Sequence, residues 1–122
     1  MILMNTNRNM EYIIDCKGKK LGRVASDVAI ILQGKKNPDY NPRLEGKDSV
    51  IIKNIDKLSL SGLKAEQKVY YSHTTQIGHL KERSFKDVVA KNGMKWVLRK
   101  AVMRMLPKNK LQARRIKRLI IE

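Results

Sequence analysis

Cations are the most numerous side chains in this sequence that could do chemistry, and they are densest near the C-terminus. The basic positions there are Lys108, Lys110, Arg114, Arg115, Lys117 and Arg118, and no acidic residue lies between Asp87 and Glu122. A run of charge is usually a solvated face. Here, however, no carboxylate is available for pairing, so the run repels itself unless an anion compensates it. The pattern therefore favours phosphate contacts over a purely solvated face.

A second segment, residues 68–83, mixes aromatic rings, hydroxyls and cations. RNA recognition uses these groups, since rings stack on bases, hydroxyls bond phosphate or 2′-OH groups, and cations neutralise phosphates. The alternative is a hairpin with ordinary strand tyrosines. On composition we favour RNA binding, through Lys68, Tyr70, Tyr71, His73, Thr74, His79, Lys81 and Arg83.

The predicted helix over residues 94–106 carries a third group. Its apolar positions share an arc of about 140° and form a core face. Lys95 and Arg99 flank one side of that face, Lys100 and Arg104 flank the other, and Trp96 lies between the two basic pairs. Two interpretations stay open: a tryptophan covered by further packing, or an aromatic surface inside a basic frame that suits RNA or a protein neighbour.

Other chemistries find little support. His73 and His79 have no third or fourth ligand at zinc spacing, so we predict no metal site. Cys16 is the one cysteine and can form no internal disulfide. Gly18 and Gly22 lie between a predicted strand and helix but match no phosphate-loop pattern. With scattered acids and no nucleophile motif, we predict no enzyme, no cofactor and no small-molecule substrate.

Length and charge limit the fold that must position these groups. The chain has 122 residues, 42% of them hydrophobic, and a net charge of +16; its pI is about 10.2. One domain is expected over 1–122, with a loose tail over 1–10 and a basic C-terminal segment over 108–122. The longest apolar stretch, residues 28–32, is far shorter than the roughly 20 residues of a membrane span.

The charge divides unevenly: residues 1–87 carry a net +6, and residues 88–122 carry a net +10.

Apolar periodicity predicts the elements. A buried strand at residues 12–16 precedes an amphipathic helix from Leu21 that Gly34 ends, and a second strand follows at 49–53. Strand, helix and strand in this order indicate a parallel βαβ unit. Shorter strands or an extended arm follow around 68–72. A capping pattern at Ser84 predicts the start of a helix that ends at Gly93. The next helix ends before Pro107, and residues 118–121 could form a last strand.

Several segments together resemble a known family. The first group is residues 12–15, Gly18-Lys19-Lys20-Leu21-Gly22-Arg23-Val24-Ala25-Ser26 and Leu32-Gln33-Gly34-Lys35. The middle group is Asp48, Val50-Ile51-Ile52, Asn54 and Tyr70-Tyr71-Ser72-His73. The last group is Ala101-Val102 and Met105-Leu106-Pro107-Lys108. In this order they are similar to the bacterial large-subunit ribosomal protein L-thirteen family over about residues 11–121. Met103-Arg104 and Gln112 depart from its usual Arg-Gly and Gly. The family commonly continues past the position of Glu122, so we expect this chain to be shortened there.

The resemblance implies a three-layer α/β/α domain around a mainly parallel sheet, with an extended basic loop region. It implies a non-catalytic protein that binds large-subunit ribosomal RNA early in assembly, beside neighbouring ribosomal proteins. Near the first helix it adds Arg23, Lys35 and Lys36 to the expected RNA contacts. We expect a cytoplasmic ribosome or that of an organelle. The alternatives are a free RNA-binding regulator and an RNA-processing enzyme on a Rossmann-like scaffold.

Overall fold

The computed structural model describes residues 2–6 and 9–122, with side chains from Met10 onward. The strands are β1 Ile2–Thr6, β2 Asn9–Asp15, β3 Ser49–Lys53, β4 Val69–His73, β5 Leu80–Ser84 and β6 Leu119–Ile121. A four-stranded sheet has the order β1-β2-β3-β6, and a separate antiparallel pair joins β4 to β5. The helices are α1 Leu21–Gln33, α2 Lys64–Gln67, α3 Phe85–Met105 and α4 Leu111–Ile116, with a 3-10 turn at Ile55–Lys57.

The predicted βαβ unit is confirmed. β2 pairs parallel with β3, and α1 connects them. The helix ends because Gly34 adopts the left-handed region at φ 81°, where its N–H bonds back to the last turn. The predicted last strand is also present, since β6 pairs parallel with β3. The sheet is thus mainly parallel and the fold belongs to the α/β class, as expected.

The two faces of the sheet differ in burial. Tyr12, Ile14, Val50, Ile52 and Leu119 point to one side and are buried. α1 packs on β3 and on α3, so the helices and this face share one core.

The opposite face carries a cross-strand row of isoleucines. Ile13 pairs with Ile51 and Ile51 pairs with Ile120. Ile13 and Ile51 are partly exposed, and Ile120 is half exposed. The resemblance implies helices on both faces of the sheet. The described residues bury one face and leave the second face partly exposed.

The long helix α3 contains the two predicted helices. Ser84 accepts a hydrogen bond from the backbone N–H of Asp87, as the capping pattern predicts. Gly93 interrupts the helix at φ 79° and ψ 173°, where Cβ-bearing residues are disfavoured. Beyond this kink, Val97, Leu98 and Val102 are fully buried and form the predicted core face.

The N-terminal segment differs from the expected loose tail. Ile2–Thr6 form β1 and pair antiparallel with β2. The expectation rested on missing apolar periodicity, but the edge of β2 offers unpaired N–H and C=O groups, and any chain segment can satisfy them. Met1, Asn7 and Arg8 lie outside the described residues.

Two arginines of the basic C-terminal segment point inward. The Arg115 side chain is 2% exposed, and its Nη2 donates to the carbonyl of Leu44 at 2.9 Å. The Arg118 guanidinium donates to the carbonyls of Leu32, Glu45 and Asp48, and burial lowers its pKa. The predicted phosphate contacts of these two residues stay a prediction, and they would have to compete with the bonds that the guanidinium groups already make to the chain's own carbonyls.

Those bonds fix the irregular loop of residues 34–48. At its far end Asp48 is also buried, and its carboxylate accepts from Asn37 Nδ2 at 2.8 Å and from the backbone N–H of Met10 at 3.2 Å. A segment that the sequence indicates only as a proline-containing loop is thus tied to β2, to α4 and to the turn between α4 and β6.

Replacing Arg115 by alanine should lower the free energy of unfolding by about 2–4 kcal/mol, because it leaves buried carbonyls without donors and opens a cavity. Arg114→Ala is the matched control: the neighbouring residue is exposed, and a surface change of this kind usually stays within about 0.5 kcal/mol. Denaturant unfolding of both variants measures the difference. Equal stabilities would contradict the inward placement of Arg115.

Candidate nucleic-acid interface

The positive charge of the described side chains is almost unpaired. In residues 10–122, whose side chains are described, a single ion pair is found, Lys53 Nζ to Glu122 Oε2 at 3.9 Å. Both side chains are about half exposed. Carboxylates of the described residues therefore pair directly with few of the chain's 27 Lys and Arg side chains, and an anionic partner could pair with most of the surface cations.

Trp96 is covered on one side by Tyr70. Their ring centroids lie 5.1 Å apart at an interplanar angle of 84°, an edge-to-face contact. Tyr70 is buried and Trp96 is partly buried. β4 packs on α3 through this pair, which favours the covered tryptophan of the two open interpretations.

Three cations nevertheless lie over these two rings. Lys68 Nζ and Arg104 Cζ each lie 5.6 Å from the centroid of Tyr70, and Lys100 Nζ lies 5.9 Å from that of Trp96. These distances are within the range of cation–π attraction. Burial raises the pKa of Tyr70, and the charge of Arg104 opposes that shift. The aromatic pair thus anchors a cluster of cations: Lys68, which lies between α2 and β4, and Lys100 and Arg104 of α3.

A pocket of about 200 Å³ opens between this cluster and the start of α1. Its charged lining consists of Lys64, Lys68, Lys100 and Arg104, with no acidic residue. Tyr70 and Phe85, both buried, supply aromatic lining. Leu21, Gly22, Ala101 and Met105 complete the wall. We call this the cationic pocket.

The sequence prediction missed part of this pocket. It did not include Lys64, which lies on the short helix α2, or Phe85, which begins α3. The available signal was local: helix-forming residues 64–67 place Lys64 and Lys68 four apart, so that they lie near each other.

Residues 69–84 form a hairpin, the structure that we gave as the alternative to RNA binding. The hairpin nevertheless carries the aromatic, hydroxyl and cationic side chains from which RNA binding is predicted. β4 and β5 pair Tyr70 with Arg83 and Ser72 with Lys81. Beyond Tyr70 every residue to Arg83 is exposed, including Tyr71 at 60% and Ile77 at 96%. The predicted contacts His73, Thr74, His79, Lys81 and Arg83 therefore stand on an arm that buries none of them.

The other predicted contacts are not gathered at one place. Arg23 and Lys35 lie near opposite ends of α1, roughly 18 Å apart at 1.5 Å per residue. Lys36 Nζ lies 5.7 Å from the ring of Tyr12. Lys95 and Arg99 are exposed on α3, and the exposed cations of the C-terminal segment are Lys108, Lys110, Arg114 and Lys117.

The structure describes no metal centre. Among the described residues no three His, Cys, Asp or Glu side chains come together as ligands, and Cys16 is a free, buried thiol. Within the same part of the chain, no helix has both the length and the apolar character to cross a membrane.

Comparison with known proteins agrees with this geometry. A family model described as "Ribosomal protein L13" matches residues 9–121. The chain is 44% identical over 108 residues to the large ribosomal subunit protein uL13 of Clostridioides difficile, covering 88% of this chain and 75% of that protein. It is 47% identical to that of Clostridium acetobutylicum, with 88% and 74% covered.

A eukaryotic protein is similar to the same degree. The large ribosomal subunit protein uL13m of Schizosaccharomyces pombe is 45% identical over 108 residues, 88% of this chain and 69% of that protein. Matches of this length and identity, on a folded α/β core with an unpaired basic surface, establish that the chain belongs to the ribosomal protein L13 family.

Proposed function

We propose that this chain binds large-subunit ribosomal RNA and supports the early assembly of that subunit. Membership of the family supports a structural role in the ribosome and not an enzymatic one. The observation that carries the finer proposal is the unpaired charge: exposed cations on the β4–β5 arm, on α3 and on the C-terminal segment face solvent, while one ion pair is found among the described side chains.

The proposed mechanism is neutralisation of crowded phosphates by cations on a rigid scaffold. RNA folding brings phosphates close together, and lysine and arginine side chains relieve their repulsion. The arm adds rings and hydroxyls, which contact bases and 2′-OH groups. Because the core fixes the backbone of α3, the cations on this helix project from defined positions, and their arrangement can match the shape of one RNA site.

The role in assembly follows from the same charge. In the free chain the positive side chains repel one another, and contact with phosphates relieves this repulsion. Binding to RNA therefore also stabilises the folded protein. A protein stabilised in this way is suited to holding RNA segments together before the subunit is complete. Contacts with neighbouring large-subunit proteins, as the relatives' names suggest, belong to the same proposal.

The first test is sedimentation of cell extract. After a moderate-salt wash we expect the chain to migrate with large subunits at close to one copy per particle. A free RNA-binding regulator would instead be recovered near the top of the gradient. Large subunits that lack the chain while it accumulates in the free fraction would contradict the proposal.

The second test uses the salt dependence of RNA binding. Each lost phosphate contact lowers the log–log slope by somewhat under one, so the double variant Arg114→Ala/Lys117→Ala should lower it by about 1–2. The control variant, Lys47→Ala/Lys53→Ala, also removes two positive charges, but both lie near carboxylates. Lys53 pairs with Glu122, and Lys47 lines a pocket with Glu45 and Asp48.

Filter binding of purified rRNA fragments between 50 and 300 mM salt measures both variants. The double variant Lys47→Ala/Lys53→Ala should leave the slope close to that of the unmodified chain. A slope that falls equally in both variants would mean that net charge alone governs binding and would overturn the assignment of these cations.

A further inference from the structure

We propose that the cationic pocket binds one unstacked RNA nucleotide, with its phosphate among the lysine and arginine side chains and its base or ribose against the apolar wall. This inference rests on the proposed function and gives it a specific site.

Charge is the first argument. Four cations line the pocket and no acid does. A second pocket among the described residues, about 520 Å³ beside the loop of residues 34–48, is lined instead by Asp39, Glu45 and Asp48 with one lysine. A polyanion would be attracted to the first and repelled by the second. Of these two pockets, the cationic pocket is therefore the one that fits a nucleotide phosphate.

Size and shape are the second argument. About 200 Å³ is less than the roughly 300–1,000 Å³ of pockets that hold drug-sized ligands. It suits one planar base or one sugar-phosphate unit and excludes a helix of RNA. Bases of a duplex are paired and stacked, whereas a loop or bulge can turn a nucleotide outward. The occupant is therefore an unpaired nucleotide.

The wall is rigid and suits a base. Tyr70 is held by its edge-to-face contact with Trp96, and Phe85 is buried at the start of α3. Arg104 lies over Tyr70 at 5.6 Å, and a guanidinium plane in such a position can also stack on a base. Since the Tyr70 and Phe85 rings are already held in place by packing, ordering them on binding costs little conformational entropy.

Gly22 keeps the pocket open. It lines the wall, and a Cβ placed on it would meet no atom within 4 Å. Its φ is not in the left-handed region, so neither space nor backbone conformation requires glycine there. A side chain at this position would extend into the open space beside the cations without removing any charge.

This geometry gives a direct experiment with Gly22→Leu. Its control is Ala113→Leu, which adds a similar apolar side chain at an exposed position of α4. Fluorescence anisotropy measures binding of the full chain to labelled hexauridine and to a labelled 12-base-pair RNA duplex. Gly22→Leu should weaken hexauridine binding roughly 5- to 100-fold, the range that loss of one base contact gives. Duplex affinity should change less than twofold, and the control should leave both affinities unchanged.

Hexauridine affinity equal to that of the unmodified chain, in a Gly22→Leu variant that still binds duplex, would overturn the pocket while leaving the proposed function intact. Failure of the unmodified chain to bind either RNA would instead overturn the proposed function. If Gly22→Leu unfolds, Lys64→Gln/Lys100→Gln decides: a larger loss for hexauridine than for duplex supports the pocket, and equal losses overturn it.

Discussion

Sixteen net positive charges on 122 residues repel one another, and the fold has to hold against that repulsion. It does so with a core that joins one face of a mainly parallel sheet to α1 and α3. Carboxylates contribute little, since one ion pair is found among the described side chains. Instead, the two inward arginines of the C-terminal segment are bound by backbone carbonyls, and the remaining cations spread over the surface. Under the proposed function, the phosphates of an external polyanion supply the negative charge that these surface cations lack.

Much of the fold could be predicted from local signals. The βαβ unit follows from a change of apolar period at Leu21, and Gly34, Ser84 and Gly93 mark helix ends that the structure confirms. The short helices α2 and α4 could not be predicted, because they have only four and six residues and are too short to show periodicity. β1 depends on pairing with the edge of β2, and a single sequence contains no direct signal for such a partner.

The candidate site shows the same division. Composition correctly indicates which segments are basic, but it cannot separate a buried arginine from an exposed one in the same run. Arg114 and Arg115 are neighbours, yet one faces solvent and the other lies under a loop some 70 positions earlier in the chain. The contact between Tyr70 and Trp96 is equally long-range. This contact brings together the aromatic arm and the basic helix, which the sequence predicts as two separate segments. Together they line one pocket that neither segment forms alone.

The central claim is that the arm, α3 and the exposed cations of the C-terminal segment face ribosomal RNA. A map of protein–RNA crosslinks within intact large subunits tests it most directly. The account predicts crosslinked residues on the arm, at Lys100 and Arg104, and at Arg114 and Lys117, with none at Arg115. Crosslinks confined to the sheet face around Ile51 and Ile120, with the arm and α3 free of RNA, would contradict it.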